Sequence, residues 1–330
     1  MNASTQEAVG RVAAVVVSFN RKVLLAECIN ALLGQSHVPD KVFIIDNAST
    51  DDTGAYLTSM GLRADPRVHY VQLERNIGGA GGFSKGIDVA YQEGFDWIWI
   101  MDDDAEPAVD ALEILVEARL SRPDVDAFAN LKLDADRNIE EHHTGDITPC
   151  GKLMNFLDRS GSASVQGKSD AIVSVSHSSF VGVLISRAVV ASVGLPRSEF
   201  FIHLDDLEYC TRIKDAGFRM LLVPGSVVVH KNAARAVGGG RGRVGDPVQM
   251  DRLWITYYGI RNAVWYKKTY CSTASALILA LYLSAKFGLG IVLFRDNKLV
   301  RLRFRFASIL DGLRGTFDND KPKRLLERVK

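Results

Sequence analysis

Four apolar runs, each ending in a short polar cluster, constrain this chain more than any other feature. Residues 11–19 read RVAAVVVSF and continue into Asn20-Arg21; residues 41–45 read KVFII and end in Asp46-Asn47-Ala48-Ser49-Thr50. The run Val68–Leu73 leads to Asn76-Ile77-Gly78-Gly79, and FDWIWIM (95–101) meets Asp102-Asp103-Asp104. The first of the four runs, rich in β-branched residues, suits a strand buried on both faces. Between the runs, apolar residues recur at helical spacing, as at 24, 25, 29, 32 and 33. Residues 52–60, and the stretch from NIGGAGGFSKG to about Gly94, also read as helices. Strand and helix alternating in this way predict a doubly wound parallel sheet. Ligands of such sheets bind at the carboxyl ends of the strands, where all four polar clusters fall.

A helix from Pro107 to about Leu120 follows. Residues 130–170 carry no readable pattern. Strands are expected at Ala171–Ser176 and Phe180–Ile185, and a helix at Arg187–Val193. A loop (LPRSEFFIH) then precedes a helix at Asp205–Ala216, with strand pieces at 220–223 and 227–229. A glycine-rich basic loop, VGGGRGR, opens a helical C-terminal third. The domain boundary therefore falls near 235, and the part before it divides near 120.

With 47% apolar and 24% charged residues and a net charge of +1, the chain is an ordinary globular one, and its charge gives no reason to expect nucleic acid. The basic residues gather at one end: eleven Lys and Arg stand against five Asp and Glu from Arg295 onward. Cysteines 28, 150, 210 and 271 form no CxxC pair, and the first ten residues are polar. These features favour a reduced, cytoplasmic protein without zinc sites. Residues 274–294 are apolar but broken by Lys286 and two glycines, short of a clean span of about 20 residues. With the basic, aromatic FRDNKLVRLRFRF behind them, they favour a helix lying in a membrane surface.

The triple aspartate needs explaining. Neighbouring carboxylates repel by about 3 kcal/mol per pair at an effective dielectric of about 20, so a positive partner is expected. In an extended chain Asp102 and Asp104 share a side and Asp103 points away. Two such groups can flank a hard divalent cation and the diphosphate it carries. The bland alternative is a solvated acidic turn that caps the next helix. NIGGAGGFSKG matches neither GxGxxG nor GxxxxGK[ST], which argues against a dinucleotide oxidoreductase or a P-loop ATPase. Its glycines still allow backbone to approach a ligand at a helix start.

A second acidic set, Asp205, Asp206 and Glu208, opens a helix. It is either dipole capping or the source of a general base, with Arg212 one turn on to orient a carboxylate. His230, after a strand, is a structural histidine or a metal ligand. Arg241 and Arg243 suit a flap over a diphosphate or a solvated connector.

Taken as an ordered set, SFNR, DNAST, RNIGGAGGF, WIWIMDDD, FFIHLDDLEYCTR and the strand-terminal His230 resemble family 2 glycosyltransferases. They look most like bacterial galactofuranosyltransferases of the initiating type, and rhamnosyltransferases share nearly all these features. The resemblance implies a GT-A fold, a Rossmann-like mixed sheet flanked by helices with a C-terminal helical extension. It also implies inverting transfer from a UDP-sugar with Mn²⁺ or Mg²⁺ on the diphosphate. Carried over by position, Ser18, Asn20 and Arg21 line the nucleotide pocket, and Asp46 accepts from uracil or ribose. Asn76, Gly79 and Asp103 lie near the donor; Asp102, Asp104 and His230 hold the metal. Asp206, beside Asp205, is the base. Asn47 departs from the family by standing where many relatives have a second acid. The acceptor implied is a polyprenyl-diphosphate-linked or other glycan, met by a peripheral protein at the inner face of the cell membrane, where lipids are anionic. A non-catalytic nucleotide-sugar-binding module is the rival of another class. YYGIRN (257–262) resembles segments of relatives, and its spacing assigns it no role.

Overall fold

The computed structural model describes residues 10–149, 153–155, 171–231, 250–294 and 296–327. The first half alternates as expected: β1 (Val12–Ser18), α1 (Lys22–Leu33), β2 (Lys41–Asp46), α2 (Thr53–Ser59), β3 (Val68–Gln72), α3 (Gly78–Gln92) and β4 (Trp97–Asp102). Then come β5 (Ala105–Pro107), α4 (Ala111–Ser121), β6 (Ala127–Asp134), β7 (Thr144–Ile147), β8 (Leu153–Asn155), β9 (Val173–Val175), β10 (His177–Ser178) and β11 (Val183–Ser186). α5 (Arg187–Val193), α6 (Asp205–Asp215) and β12 (Met220–His230) complete this part.

The main sheet runs β3-β2-β1-β4-β11-β6-β12-β5, with β9 also on β12. β1 pairs in parallel with β2 and β4, setting Ser18 opposite Asp46 and Val17 opposite Asp102. β3 is parallel to β2 in turn, with Gln72 opposite Asp46, so all four polar clusters follow strand ends on one side of the sheet. The wholly parallel reading fails beyond β4, because β11 is antiparallel to both β4 and β6. Past α4 the strand–helix alternation that enforces parallel pairing stops, and the sheet becomes mixed. The unreadable region supplies most of β6, whose Asn130, Lys132 and Asp134 broke the apolar pattern. The two strand pieces at 220–229 are one strand whose register shifts between Val223 and Val227, at Pro224-Gly225.

β1 is buried throughout and feeds two cores. Val12, Ala14 and Val16 face α1 and α4, while Ala13, Val15 and Val17 face α3 and α6. Gly82 and Gly86 explain part of the glycine-rich run. A Cβ on either would stand 2.4 Å from a methyl of Val17 or Val15, so these two glycines bring α3 onto the sheet rather than onto a ligand. A polar chain crosses the core: Trp99 Nε1 donates to Asn130 Oδ1 at 2.9 Å, and Asn130 Nδ2 donates to Ser226 Oγ at 2.6 Å. Leaving a buried donor of this kind unpaired costs about 1–3 kcal/mol.

Two compact units divide the described chain. One holds the sheet; the other holds Glu199–Asp205 with the C-terminal helices. The latter are α7 (Leu253–Tyr270), α8 (Thr273–Phe294), α9 (Lys298–Arg314) and α10 (Lys321–Glu327). Gly312 lets α9 close on α7, since a Cβ there would sit 2.6 Å from the Arg261 carbonyl. Among the described residues no helix is long and apolar enough to cross a membrane. Arg241 and Arg243 lie outside the described residues.

Candidate active site

β4 delivers Asp102 to the sheet end, and the chain then turns through Asp103-Asp104 back into β5. The triple aspartate is therefore not extended throughout, as alternation alone implies, yet the turn still separates its members. Asp103, buried, accepts from Ser18 Oγ at 2.7 Å and from Arg21 Nη1 at 3.1 Å. The same Arg21 nitrogen donates to Asp104 Oδ2 at 2.8 Å, so the expected positive partner is present. Asp102, Asp104 and His230 each offer one ligand atom, all within 4.8 Å of one another.

Burial, with the charges of Asp104 and Asp103, pushes the Asp102 carboxyl up to about 8. Burial raises Asp103 to about 6 against the pull of Arg21. Burial opposes ionisation of Asp104 too, but the closeness and charge of His230, with Arg21, hold it below the usual carboxylate range. His230 is the counterpart: burial works against its charge, yet Asp104, Glu140 and Asp102 drive it up to about 10. Asp104 Oδ1 lies 3.2 Å from His230 Nε2 without hydrogen-bond alignment, a buried oxygen with no hydrogen bond among the described residues. Hard oxygens, one unsatisfied, beside an imidazole nitrogen fit Mn²⁺ or Mg²⁺.

Sequence reasoning missed Glu140 and His143. Glu140 Oε2 stands 2.9 Å from His230 Nδ1, and His143 Nε2 lies 3.6 Å from the same oxygen. A carboxylate gripping Nδ1 turns Nε2 toward the aspartates, the arrangement that orients metal-ligating histidines. The available signal was the unbroken titratable stretch Glu140-Glu141-His142-His143 in a segment without periodicity.

From His230 a run of contacts reaches the second acidic set. The His143 ring stands edge-on to His230 at 5.2 Å, and its Nδ1 is 2.8 Å from Ser179 Oγ. Next to Ser179, Ser178 takes a hydrogen bond from buried Lys132 through its hydroxyl and one from Cys210 Sγ, at 3.3 Å, through its carbonyl. Burial lowers Lys132 to about 7, against attraction from Cys210 and Asp206. Cys210 lies one turn beyond Asp206 on α6, and His177 Nε2 is 3.9 Å from Asp206 Oδ2. Asp206 keeps 27% of its side chain exposed, and its Oδ1 accepts from Leu207 N at 2.7 Å. Glu208 is fully buried between Arg197 and Arg212, which confirms the expected i,i+4 pair and removes this acid from solvent. Asp205 is also buried.

The remaining expected residues sit at the first two strand ends. Asn20 N donates to Ser49 Oγ, and Thr50 N donates to Asn20 Oδ1, tying the two loops together. Asp46 is wholly buried, with Ser49 N on one oxygen and the Tyr70 hydroxyl on the other. Both of its oxygens therefore already accept a hydrogen bond from within the chain. Asn47 accepts from Ile77 N at 3.0 Å and donates to the Gly78 carbonyl at 2.8 Å. An acid there would lose the donor, which accounts for the neutral residue. Asn76 Oδ1 accepts from Gly78 N, and nothing stands within 4 Å of a Cβ on Gly79. Beside Asp46, a polar cavity of about 460 Å³ is lined by Ser49, Thr50, Asp52, Arg63, Tyr70 and Gln72.

Residues 13–175 match the family model described as glycosyl transferase family 2. The chain belongs to that family. The match takes in Ser18 through Asp104; Asp206 and His230 lie beyond it. Within the family, the chain is 31% identical over 209 residues to galactofuranosyltransferase GlfT1 of Mycolicibacterium smegmatis, covering 62% of this chain and 66% of that one. For GlfT1 of Mycobacterium tuberculosis the figures are 27%, 62% and 64%. The matched stretch thus spans just under two thirds of these relatives' length. The dTDP-rhamnosyl transferase RfbF of Shigella flexneri is 24% identical, over 92% of this chain and 95% of its own. The family's GT-A fold is shared with the crystal structure of GalNAc-T7 with UDP, GalNAc and Mn²⁺, at a TM-score of 0.57 and 13% identity over 94% of this chain and 57% of that one.

Proposed function

We propose that this family 2 protein is an inverting glycosyltransferase that moves galactofuranose from UDP-galactofuranose to a hydroxyl of a lipid-linked glycan in cell-envelope synthesis. The observation that carries the reading is the run of contacts joining Asp102, Asp104 and His230 to Asp206 within one compact unit. Asp102, Asp104 and His230 would hold Mn²⁺ or Mg²⁺. When bound, such an ion neutralises charge gathering on a departing diphosphate.

Arg21 and Ser18 hold Asp103 aside from that set. Asp206 takes the proton of the acceptor hydroxyl as its oxygen bonds to the anomeric carbon. The carbon–phosphate oxygen bond breaks at the same time, its electron pair leaving with UDP. The GlfT1 matches support the donor sugar. Rhamnose from dTDP-rhamnose is the second reading, because RfbF aligns along nearly the whole chain.

Incubating the purified chain with each donor, Mn²⁺ and a polyprenyl-diphosphate-linked acceptor is expected to release UDP from UDP-galactofuranose. Release of dTDP alone would overturn the donor assignment. Binding of UDP with no turnover of either donor would favour a binding module.

The reading places the protein at an anionic membrane surface. On α8, Leu277, Ile278, Leu281 and Tyr282 are 47–70% exposed along one face, with Lys286 Nζ 5.3 Å from the Tyr282 ring centre. On α9, Leu299 and Phe306 are exposed among Lys298 and Arg303. Apolar rows rimmed by cations suit the headgroup region of acidic lipids. The chain is expected to float with phosphatidylglycerol vesicles and not with phosphatidylcholine ones. Ile278→Asp with Leu281→Asp should cut the bound fraction about tenfold; equal flotation by the double variant would refute the attachment.

A further inference from the structure

Arg261 and Asn262, in the YYGIRN segment of α7, have no part in the chemistry above, yet both are fully buried. Each is spent on the loop that leads into α6. Arg261 Nη2 donates to the carbonyls of Glu199 and Phe200, both at 2.9 Å, and its Nη1 to Asn319 Oδ1 at 2.9 Å. Asn262 Nδ2 reaches the carbonyls of Phe200, Ile202 and His203 at 3.0, 3.0 and 2.9 Å. The guanidinium is further held 4.9 Å from the ring centres of both Tyr258 and Phe317.

The loop so gripped is strained. Phe201, His203 and Leu204 have φ of 64°, 70° and 64°, the left-handed region that residues with side chains rarely adopt. A simple connection would place glycine at such positions. Strain of this kind persists only where the surroundings over-determine it, and it gathers at functional sites. The residues that follow immediately are Asp205 and Asp206.

We propose that Arg261 and Asn262 are positioning residues for sugar transfer. By pinning the carbonyls of Glu199, Phe200, Ile202 and His203 they hold the strained backbone that runs through Leu204 into Asp205, the residue bonded to Asp206. The inference rests on Asp206 acting as the base. Neither residue touches a reacting group.

Asn262→Asp keeps the shape but turns a donor into oxygens that repel three carbonyls. It is expected to lower kcat about 10- to 100-fold, the scale of a small misplacement of a reacting group. UDP affinity and donor KM should stay within about twofold. Leu204→Gly relieves the left-handed strain and should keep or raise Tm while kcat falls; a purely structural loop would move both together. Wild-type kcat in Asn262→Asp, or full activity in Leu204→Gly, overturns the proposal. Should Asn262→Asp fail to fold, Arg261→Lys retains the charge without the planar fork, and the same kcat-selective loss is expected. Normal activity per folded molecule in that variant counts against the proposal equally. Asp206→Asn run alongside separates the two ideas: transfer surviving in it removes the base, whereas its inactivity beside fully active clamp variants removes the clamp alone.

Discussion

Asp206→Asn is expected to lower kcat by about 10³-fold, near 4 kcal/mol of transition-state stabilisation, while leaving UDP and Mn²⁺ affinity unchanged. The substitution is nearly isosteric, and the amide oxygen still accepts from Leu207 N, so α6 keeps its first turn. What disappears is the second oxygen, Oδ2, which faces His177 at 3.9 Å from a partly exposed side chain. The neighbouring acids of α6 are buried. Glu208 is committed to two arginines at zero exposure, and Asp205 is buried. Calorimetric titration of UDP beside a nucleotide-release assay gives both readouts. Transfer within about tenfold of wild type would place the proton acceptor elsewhere.

The pocket edge was legible in the sequence because parallel strands are written plainly. A strand buried on both faces admits no polar residue until it ends, so Ser18, Asp46 and Asp102 announced the sheet's carboxyl end by being the first to interrupt their runs. His230 was legible for the same reason. The other half was not. β6 carries Asn130 and Lys132 facing buried partners, Ser226 and Ser178, from distant segments. No local pattern marks a polar residue whose partner is fixed only by tertiary structure. Glu140 and His143 belong to the same class, as does Arg261, a buried charge satisfied by carbonyls of a loop about 60 residues earlier. The antiparallel β11 escaped because four buried residues, VLIS, read alike in either direction. The glycine-rich run misled in part: Gly82 and Gly86 are small for the sake of β1, a demand that looks in sequence like room for a phosphate.

Asp104→Asn is expected to weaken Mn²⁺ binding at least 100-fold and to reduce transfer about 10³-fold at fixed metal, with chelation of the native chain giving the same loss. Asp104 is the centre of the set, touching Arg21 through one oxygen and facing His230 with the other. Glu140→Gln should be milder, about 10- to 100-fold in metal affinity, and recoverable by raising Mn²⁺, since it loosens the orientation of His230 without deleting a ligand. The acid–base state of the metal-free cluster gives the sharper test. The two aspartates and Glu140 raise His230 to about 10, and burial raises Asp102 to about 8, so both carry protons at neutral pH that an incoming cation must displace. Uptake should therefore release at least one proton, and the apparent affinity should climb about tenfold or more per pH unit between pH 6 and 8. Mn²⁺ titrations followed by electron paramagnetic resonance at three pH values measure that slope, and Asp104→Asn should flatten it by removing the acid that faces His230 Nε2. A slope of zero in the native chain would mean that the cation binds outside these residues, and the divalent role of Asp102, Asp104 and His230 would fall with it.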